Sequence, residues 1–152
     1  MIEENKYIDQ IANIWQENNQ GYIGYNCNQR SINDNEMLKI VYVEDKIVYG
    51  YAVLYFGVEF CELERYPNKI ENIPDKVIYI WEMVTSKNHL RQGIGTKIMN
   101  YITNKFKGYT IYSCINSSNT PSLRLHSKLG FNPIYDFIWE DNDEYTMMEL
   151  KN

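Results

Sequence analysis

The segment from Val77 to Met99 combines a carboxylate, a basic loop and two closely spaced glycines. Residues 77–85 have the apolar, β-branched character of a buried strand, and Gly93 and Gly95 precede an apolar stripe at helical spacing. A helix N-terminus offers backbone N–H groups without intrahelical partners, together with the positive end of the helix dipole. Glycines allow a bulky anion to approach that backbone closely. The segment therefore predicts a phosphate-binding site.

Glu82 is the one charged residue within the apolar strand. A carboxylate beside Ile80, Trp81 and Val84 is costly to bury unless it is paired or reaches a cleft. Desolvation would raise its pKa towards that of a usable general base. We expect Glu82 to act as a base or as an ammonium binder, and a structural ion pair with Lys or Arg is the alternative.

Hydrophobic periodicity and turn residues predict the elements that position these groups. Helices are expected over 6–18, from Gly93-Ile94 to Gly108, and from Thr120 as N-cap with Pro121 to Gly130, and strands over 38–44, 47–56, 77–85, 109–115, 131–139 and 144–150. Gly50 inside a strand indicates a bulge or a close backbone approach. The alternation of strands and helices over 77–138 implies at least one parallel pair, and the terminal hairpins make the sheet mixed.

Two motifs in this order resemble the GNAT superfamily of acyl-CoA-dependent N-acetyltransferases. Val84-Thr-Ser-Lys-Asn-His-Leu-Arg-Gln-Gly-Ile-Gly-Thr-Lys-Ile-Met99 is similar to the family's strand, phosphate loop and helix, usually Arg/Gln-x-x-Gly-x-Gly/Ala. Asn119-Thr-Pro-Ser-Leu-Arg-Leu-His-Ser-Lys-Leu-Gly-Phe131 is similar to the family's later helix, usually Asn-x-x-Ala-x-x-Leu-Tyr-x-Lys-x-Gly-Phe. Two positions depart from these patterns: Leu90 replaces the usual Arg or Gln, and His126 replaces the usual Tyr.

The resemblance implies an α/β (α+β) fold, with a mixed, mostly antiparallel sheet flanked by helices on both faces. Two adjacent parallel strands would splay near Val84 and Tyr112 and hold coenzyme A. The resemblance also implies that backbone amides hold the pyrophosphate, over the residues Arg91, Gln92, Gly93, Ile94, Gly95 and Thr96.

Four further residues receive roles by the same resemblance, each with a structural alternative. The backbone of Met83 and Val84 would pair with the pantetheine arm, although their side chains can be pure packing. Asn119 would bond the pantetheine amide, or would only begin a helix. His126 would protonate the departing thiolate in place of Tyr, or would be a buried core residue.

The implied function is transfer of an acetyl group from acetyl-CoA to a primary amine of a small molecule or peptide, by direct attack in a ternary complex. No metal is implied, and no Ser-His-Asp or Cys-His arrangement indicates a protein nucleophile. The alternatives are another acyl donor, or a catalytically silent CoA-binding or regulatory module. A P-loop nucleotide binder is disfavoured because no Gly-Lys-Ser/Thr follows the loop.

Composition limits the partners of this chain of 152 residues, which we expect to form a single domain over 1–152. A net charge of −5 disfavours nucleic acid and mildly favours a cationic acceptor, to which Glu59, Glu62 and Glu64 could contribute. The longest apolar run, 47–56, is too short to span a membrane, and no signal peptide is evident, which suggests a cytoplasmic protein. Homodimers are common among similar proteins, and the sequence leaves the quaternary state open.

Overall fold

The computed structural model describes residues 1–18, 31–57, 70, 72–139 and 141–152. Within these residues the elements in chain order are β1 (Ile2–Glu4), α1 (Ile8–Asn18), β2 (Leu38–Glu44), β3 (Ile47–Phe56), β4 (Val77–Thr85), a 3-10 turn (Lys87–His89), α2 (Ile94–Lys105), β5 (Thr110–Asn116), α3 (Thr120–Lys128), β6 (Asn132–Ile138) and β7 (Glu144–Lys151). Short apolar strands thus alternate with amphipathic helices over the second half of the chain, as the periodicity predicts.

The seven strands form one mixed sheet in the order β1-β2-β3-β4-β5-β7-β6. β4 and β5 are parallel, whereas β1 with β2, β2 with β3, β5 with β7, and β6 with β7 are antiparallel. Helices flank this sheet. The sheet is therefore mixed and mostly antiparallel, with one parallel pair joined by a helical crossover, and this confirms the predicted fold class.

The contacts group the chain into two compact units, and the first comprises Met1–Tyr55 with Glu82–Ile102. Its β2–β3 hairpin turns at Asp45 and Lys46, whose φ angles of 49° and 66° are those of a two-residue type I′ turn. The register then shifts between Tyr42 and Val43, which makes a bulge in β3. This bulge precedes Gly50 directly.

Gly50 brings the backbone of β3 close to both β4 and α2. A Cβ placed on Gly50 would lie 2.8 Å from Ile94 Cγ2 and 2.9 Å from the carbonyl oxygen of Val84. Only glycine tolerates that approach, so Gly50 fixes the first residue of α2 against the sheet. The sequence analysis predicted a bulge or a close approach at this glycine, and both are confirmed.

The second unit comprises Phe56–Trp81 with Thr103–Asn152. It contains the parallel ladder of β4 with β5, which pairs Val77 with Thr110 and ends with Ile80 opposite Ser113. The end of α2 is closed by Asn152, whose side-chain amide donates to the carbonyl oxygens of Thr103 and Phe106 at 2.7 and 2.8 Å. These bonds satisfy carbonyls that a helix C-terminus otherwise leaves without partners.

Some details differ from the sequence expectations. The short β1 precedes α1 and pairs with β2, although the sequence leaves little chain for such a strand. α1 begins at Ile8 because Asn5 and Tyr7 have positive φ angles, which helix cannot continue through. The N-cap of α3 is Asn119 and not Thr120.

The predicted loops at 19–36 and 58–76 lie largely outside the described residues, as do Glu59, Glu62 and Glu64. A single domain over 1–152 stays a prediction.

Candidate active site

The turn before α2 presents open backbone. Arg91 and Gly93 both have left-handed φ angles, of 62° and 74°, and a Cβ added at Gly93 would meet nothing within 4 Å. The amide of Lys97 donates to the Gly93 carbonyl at 3.0 Å, which makes it the first amide to find its acceptor in the helix. The amides of the three preceding residues, Ile94 to Thr96, have no acceptor within the helix. The turn therefore has the geometry and the dipole of an anion site, and its residues fit a phosphate-bearing ligand.

The side chains of this turn are mostly on the surface. Arg91 and Gln92 are exposed, Thr96 is half-buried, and Ile94 is buried beneath the turn. Leu90, which occupies the position usually held by Arg or Gln in the phosphate-loop motif given above, is 56% exposed. Any side-chain contact to a phosphate from this stretch must therefore come from a neighbouring position, whereas the backbone amides remain available.

The strand before the turn continues past its parallel ladder. The residues of β4 that pair with β5 end at Ile80, and β4 itself runs on to Thr85. Met83 and Val84 lie in this later part and are half-buried. Their side chains are thus not core residues, and their backbone belongs to the part of β4 that has left its parallel partner. The predicted role of this backbone towards a pantetheine arm stays a prediction.

Glu82 lies in the same part of β4, and its carboxylate has one hydrogen-bond donor. The hydroxyl of Tyr51, on β3, donates a hydrogen bond to Glu82 Oε1. Glu82 Oε2 is buried and has no hydrogen-bond partner among the described residues. Among those residues no Lys or Arg forms an ion pair with it. A buried carboxylate oxygen without a hydrogen-bond partner is costly. Within the described residues, a structural ion pair does not explain why Glu82 is placed there.

Burial governs the protonation of this pair. Desolvation raises the pKa of Glu82 to about 7, and the hydrogen bond from Tyr51 lowers it only in part. Burial, together with the charge of Glu82, raises the pKa of Tyr51 above its usual value, so the phenol stays protonated and donates. A carboxylate that titrates near neutral pH is matched to moving a proton at neutral pH.

His126 is 1% exposed and lies in the last turn of α3. Its Nδ1 lies 2.9 Å from the carbonyl oxygen of Ser122, which makes this nitrogen the donor, and Nε2 is buried without a partner among the described residues. Burial lowers the pKa of the imidazole, so the neutral form dominates at pH 7. Nε2 then carries a lone pair, and any proton it delivers must first reach it.

The Gly-Phe end of α3 has a structural explanation. Gly130, with φ of 92°, donates to the Ser127 carbonyl, and Phe131 donates to the His126 carbonyl, both at 3.1 Å. These two bonds make a Schellman motif. The rings of His126 and Phe131 meet edge to face, with centroids 4.9 Å apart, which is the apolar contact that often accompanies the motif. His126 therefore has a packing role whatever its chemistry.

Asn119 is the N-cap of α3, and its Oδ1 accepts from the amide of Ser122 at 3.3 Å. Asn119 as a whole is exposed to solvent. The helix-entry alternative accounts for this oxygen, and a contact of Asn119 with a ligand stays a prediction.

The sequence alone does not single out Tyr51 among the tyrosines of residues 49–55. A tyrosine in an apolar strand is usually a core residue, and it becomes informative only when a neighbouring strand places a carboxylate at its hydroxyl. The available signal was Glu82 itself, because a buried carboxylate needs a donor and an adjacent strand is the nearest source. Which of the several tyrosines in β3 supplies that donor depends on the register, which the sequence does not specify.

Within the described ranges no group of three His, Cys, Asp or Glu residues is placed to hold a metal ion. No described helix is long and apolar enough to span a membrane. The expected absence of a metal and the cytoplasmic location stay predictions.

Comparison with known proteins agrees with the fold. The sequence model of the Acetyltransferase (GNAT) family matches residues 6–131. No curated protein matches the chain by sequence. Similar solved structures include the ribosomal-protein-S18-alanine N-acetyltransferase of Escherichia coli, with TM-score 0.71 and 14% identity over 99% of this chain and 92% of that one. Two others are Arabidopsis thaliana NAA60 in complex with acetyl-CoA, with TM-score 0.72 and 13% identity over 100% and 99% of the two chains, and an N-acetyltransferase of Staphylococcus aureus Mu50, with TM-score 0.71 and 19% identity over 99% and 97%.

Proposed function

Because this chain belongs to the acetyltransferase (GNAT) family, we propose that it transfers an acetyl group from acetyl-CoA to a primary amine of a small molecule or peptide. The observation that supports an amine as the acceptor is the state of Glu82. Its carboxylate is buried, has a raised pKa, and has one oxygen without a hydrogen-bond partner among the described residues. Such a group suits the removal of a proton from an ammonium ion.

The acetyl-CoA site of this proposal is the turn before α2. The amides of Arg91 to Thr96 would hold the pyrophosphate, and the backbone of Met83 and Val84 would align the pantetheine arm. Support comes from the left-handed φ angles at Arg91 and Gly93 and from the open space at Gly93. It also comes from NAA60, a protein of the same fold that was solved with acetyl-CoA.

The proposed reaction balances without a protein nucleophile. An alkyl amine is mostly protonated at neutral pH, since a lysine-like amine has a pKa near ~10.4. Glu82 would accept one ammonium proton, directly or through water, and free the nitrogen lone pair. That pair attacks the thioester carbon, and the C–N bond forms. The C–S bond then breaks, and the nitrogen gives up its second proton, which balances the proton that the departing thiolate takes up. The products are the amide, coenzyme A as its thiol and the proton taken up by Glu82.

A backbone N–H of β4 near Val84 would stabilise the negative charge that develops on the thioester oxygen. His126 would supply the proton that the departing thiolate takes up. For this, Nε2 must first be protonated, and the lowered pKa would make the resulting imidazolium a stronger acid than an ordinary one. Positioning of both substrates supplies the remainder of the rate.

The experiment for this function is a thiol-release assay with acetyl-CoA and a panel of amines: polyamines, aminoglycosides, lysine-containing peptides, peptides with free N-termini and small amino acids. We expect release of coenzyme A with at least one of these amines, and acetylation of its nitrogen by mass spectrometry. Saturable acetyl-CoA binding without turnover would instead support a silent CoA-binding or regulatory module. Turnover with a longer acyl-CoA only would identify another acyl donor.

His126→Phe tests the proton donor. Phe keeps the ring contact with Phe131 and removes both ring nitrogens, so we expect Tm to fall by only a few degrees. The value of kcat should fall about tenfold or more. General acid catalysis typically contributes 10²- to 10⁴-fold, so this expected loss includes values below that range. Steady-state kinetics beside a thermal melt separates the two effects. A large loss of Tm with unchanged kcat would assign His126 to packing alone.

A further inference from the structure

We propose that Tyr51 is a positioning residue for acetyl transfer: its hydroxyl holds Glu82 Oε1 and directs Oε2 to the amine of the acceptor. This inference rests on the proposed function and extends it by one residue. Tyr51 belongs to neither of the two sequence motifs. It lies on β3, which precedes both motifs along the chain.

The two carboxylate oxygens have different surroundings, and this difference is the first argument. Oε1 accepts the hydrogen bond from Tyr51, whereas Oε2 is buried and has no hydrogen-bond partner in the described part of the chain. Fixing one oxygen fixes the plane and rotamer of the whole carboxylate. The second oxygen then points in one direction, and no hydrogen bond within the described residues uses its lone pairs, which a base needs.

The rigidity of Tyr51 is the second argument. Its side chain is fully buried, at 0% exposure, and it follows Gly50, whose backbone is closely packed against Ile94 and Val84. The phenol is therefore held by the sheet and cannot swing away from Glu82. A hydrogen bond from a fixed donor costs little entropy to maintain, which favours precise placement of the acceptor.

The protonation of the pair supplies the third argument. The phenol keeps its proton because burial and the Glu82 charge raise the pKa of Tyr51. Its hydrogen bond stabilises the ionised form of Glu82 and opposes the effect of burial. Among the titratable groups of the described residues, Tyr51 is the one that shifts the pKa of Glu82. Removal of the hydroxyl should therefore raise that pKa further.

Tyr51→Phe tests the assignment, because it removes one oxygen and keeps the buried ring. We expect the acidic limb of the kcat/KM profile to move upward by about one pH unit or more, since a hydrogen bond to a charged group favours ionisation. At pH 7, where the Glu82 carboxyl of wild type is about half ionised, this is a loss of about fivefold or more, whereas at pH 9 the variant should recover to within about threefold of wild type. The same acceptor is used for both proteins, so its own titration cancels.

Tyr42→Phe is the matched control. Tyr42 also donates a hydrogen bond to a glutamate, Glu44, but this glutamate is exposed at the end of β2. Its removal should leave the acidic limb in place. A purely structural role of Tyr51 would lower kcat/KM by the same factor at every pH, and that result would overturn the proposal.

Direct titration of the carboxyl separates this proposal from the proposed function. Carbon-13 spectra of glutamate-labelled protein, with the Glu82 signal assigned through Glu82→Gln, report its pKa without any substrate. An upward shift in Tyr51→Phe supports the inference, and an unmoved Glu82 signal overturns it. A wild type that acetylates no amine would instead overturn the proposed function. If Tyr51→Phe does not fold, Glu82→Asp, which withdraws the carboxyl from the hydroxyl by one methylene, should show the same upward shift of the acidic limb.

Discussion

Glu82→Gln is expected to lower kcat by two orders of magnitude or more, while the Kd for acetyl-CoA changes by less than about threefold. Gln has the shape of Glu and can still accept the hydrogen bond from Tyr51, but it cannot take up a proton. General base catalysis typically contributes 10²- to 10⁴-fold, so its loss is a large effect. Steady-state kinetics with the best acceptor gives kcat, and titration calorimetry with acetyl-CoA gives Kd.

The control is Glu44→Gln, which alters the exposed member of the other Tyr–Glu pair. We expect its kcat to match wild type. An unchanged kcat in Glu82→Gln would remove Glu82 from the reaction. An equal loss of kcat and of acetyl-CoA affinity would show that Glu82 supports the structure of the site and not the proton transfer.

Stability provides a second readout for Glu82. Its pKa is raised in the folded protein to about 7 from its ordinary value of 4.5, so the folded state binds more protons than the unfolded state between these pH values. Stability should therefore fall as pH rises through this window, by roughly 3 kcal/mol from this one group. Glu82→Gln removes the titration, and its Tm at pH 8 should be no lower than that of wild type. Lost turnover then cannot be attributed to unfolding.

The sequence was sufficient for the strands and helices that build the site because their signals are local. The apolar run of β4, the glycines before α2 and the Pro and Gly that bracket α3 each depend on neighbouring residues in the chain. Gly50 belongs to the same class, since a glycine in a strand has few explanations. The bounds of these elements agreed to within three residues for this reason.

The Tyr51–Glu82 pair could not be predicted in this way. It depends on the register between two strands, and a shift of one residue would point every side chain of a strand to the other face. The bulge beside Gly50 changes that register and leaves no reliable mark on the pattern of apolar residues. The short β1 was also hidden, because a strand of three residues is defined by its partner and not by its own periodicity.

The resemblance specified positions more reliably than roles. It selected Asn119 and His126 by their place in a pattern, yet the structure gives each a local task, as an N-cap and as a contact of the Schellman motif. A residue can keep its position in a motif because the fold needs it there. Separation of the two tasks requires variants that preserve packing, which is why Phe is the substitution chosen at His126.

Gly93→Ala is expected to raise the Kd for acetyl-CoA about tenfold or more, while kcat at saturating acetyl-CoA changes little. Gly93 has a φ of 74°, where an L-residue costs roughly 1–2 kcal/mol. Relief of that strain would rotate the peptide groups of the turn and misdirect the amides that would hold the pyrophosphate. The added methyl would also occupy the open space at Gly93, through which the proposed pyrophosphate would approach. Titration calorimetry with acetyl-CoA and with coenzyme A measures the effect.

Gly108→Ala separates loss of the site from backbone strain. Gly108 also has a left-handed φ, of 83°, and an added Cβ there also meets nothing within 4 Å. It ends α2 instead of beginning it, so the substitution should lower Tm about as much as Gly93→Ala and leave the Kd unchanged. Because the strain is matched, a difference in Kd between the two variants must come from the turn itself. Equal Kd values for both variants and wild type would show that the amides from Arg91 to Thr96 do not bind the pyrophosphate, and the acetyl-CoA site would have to lie elsewhere.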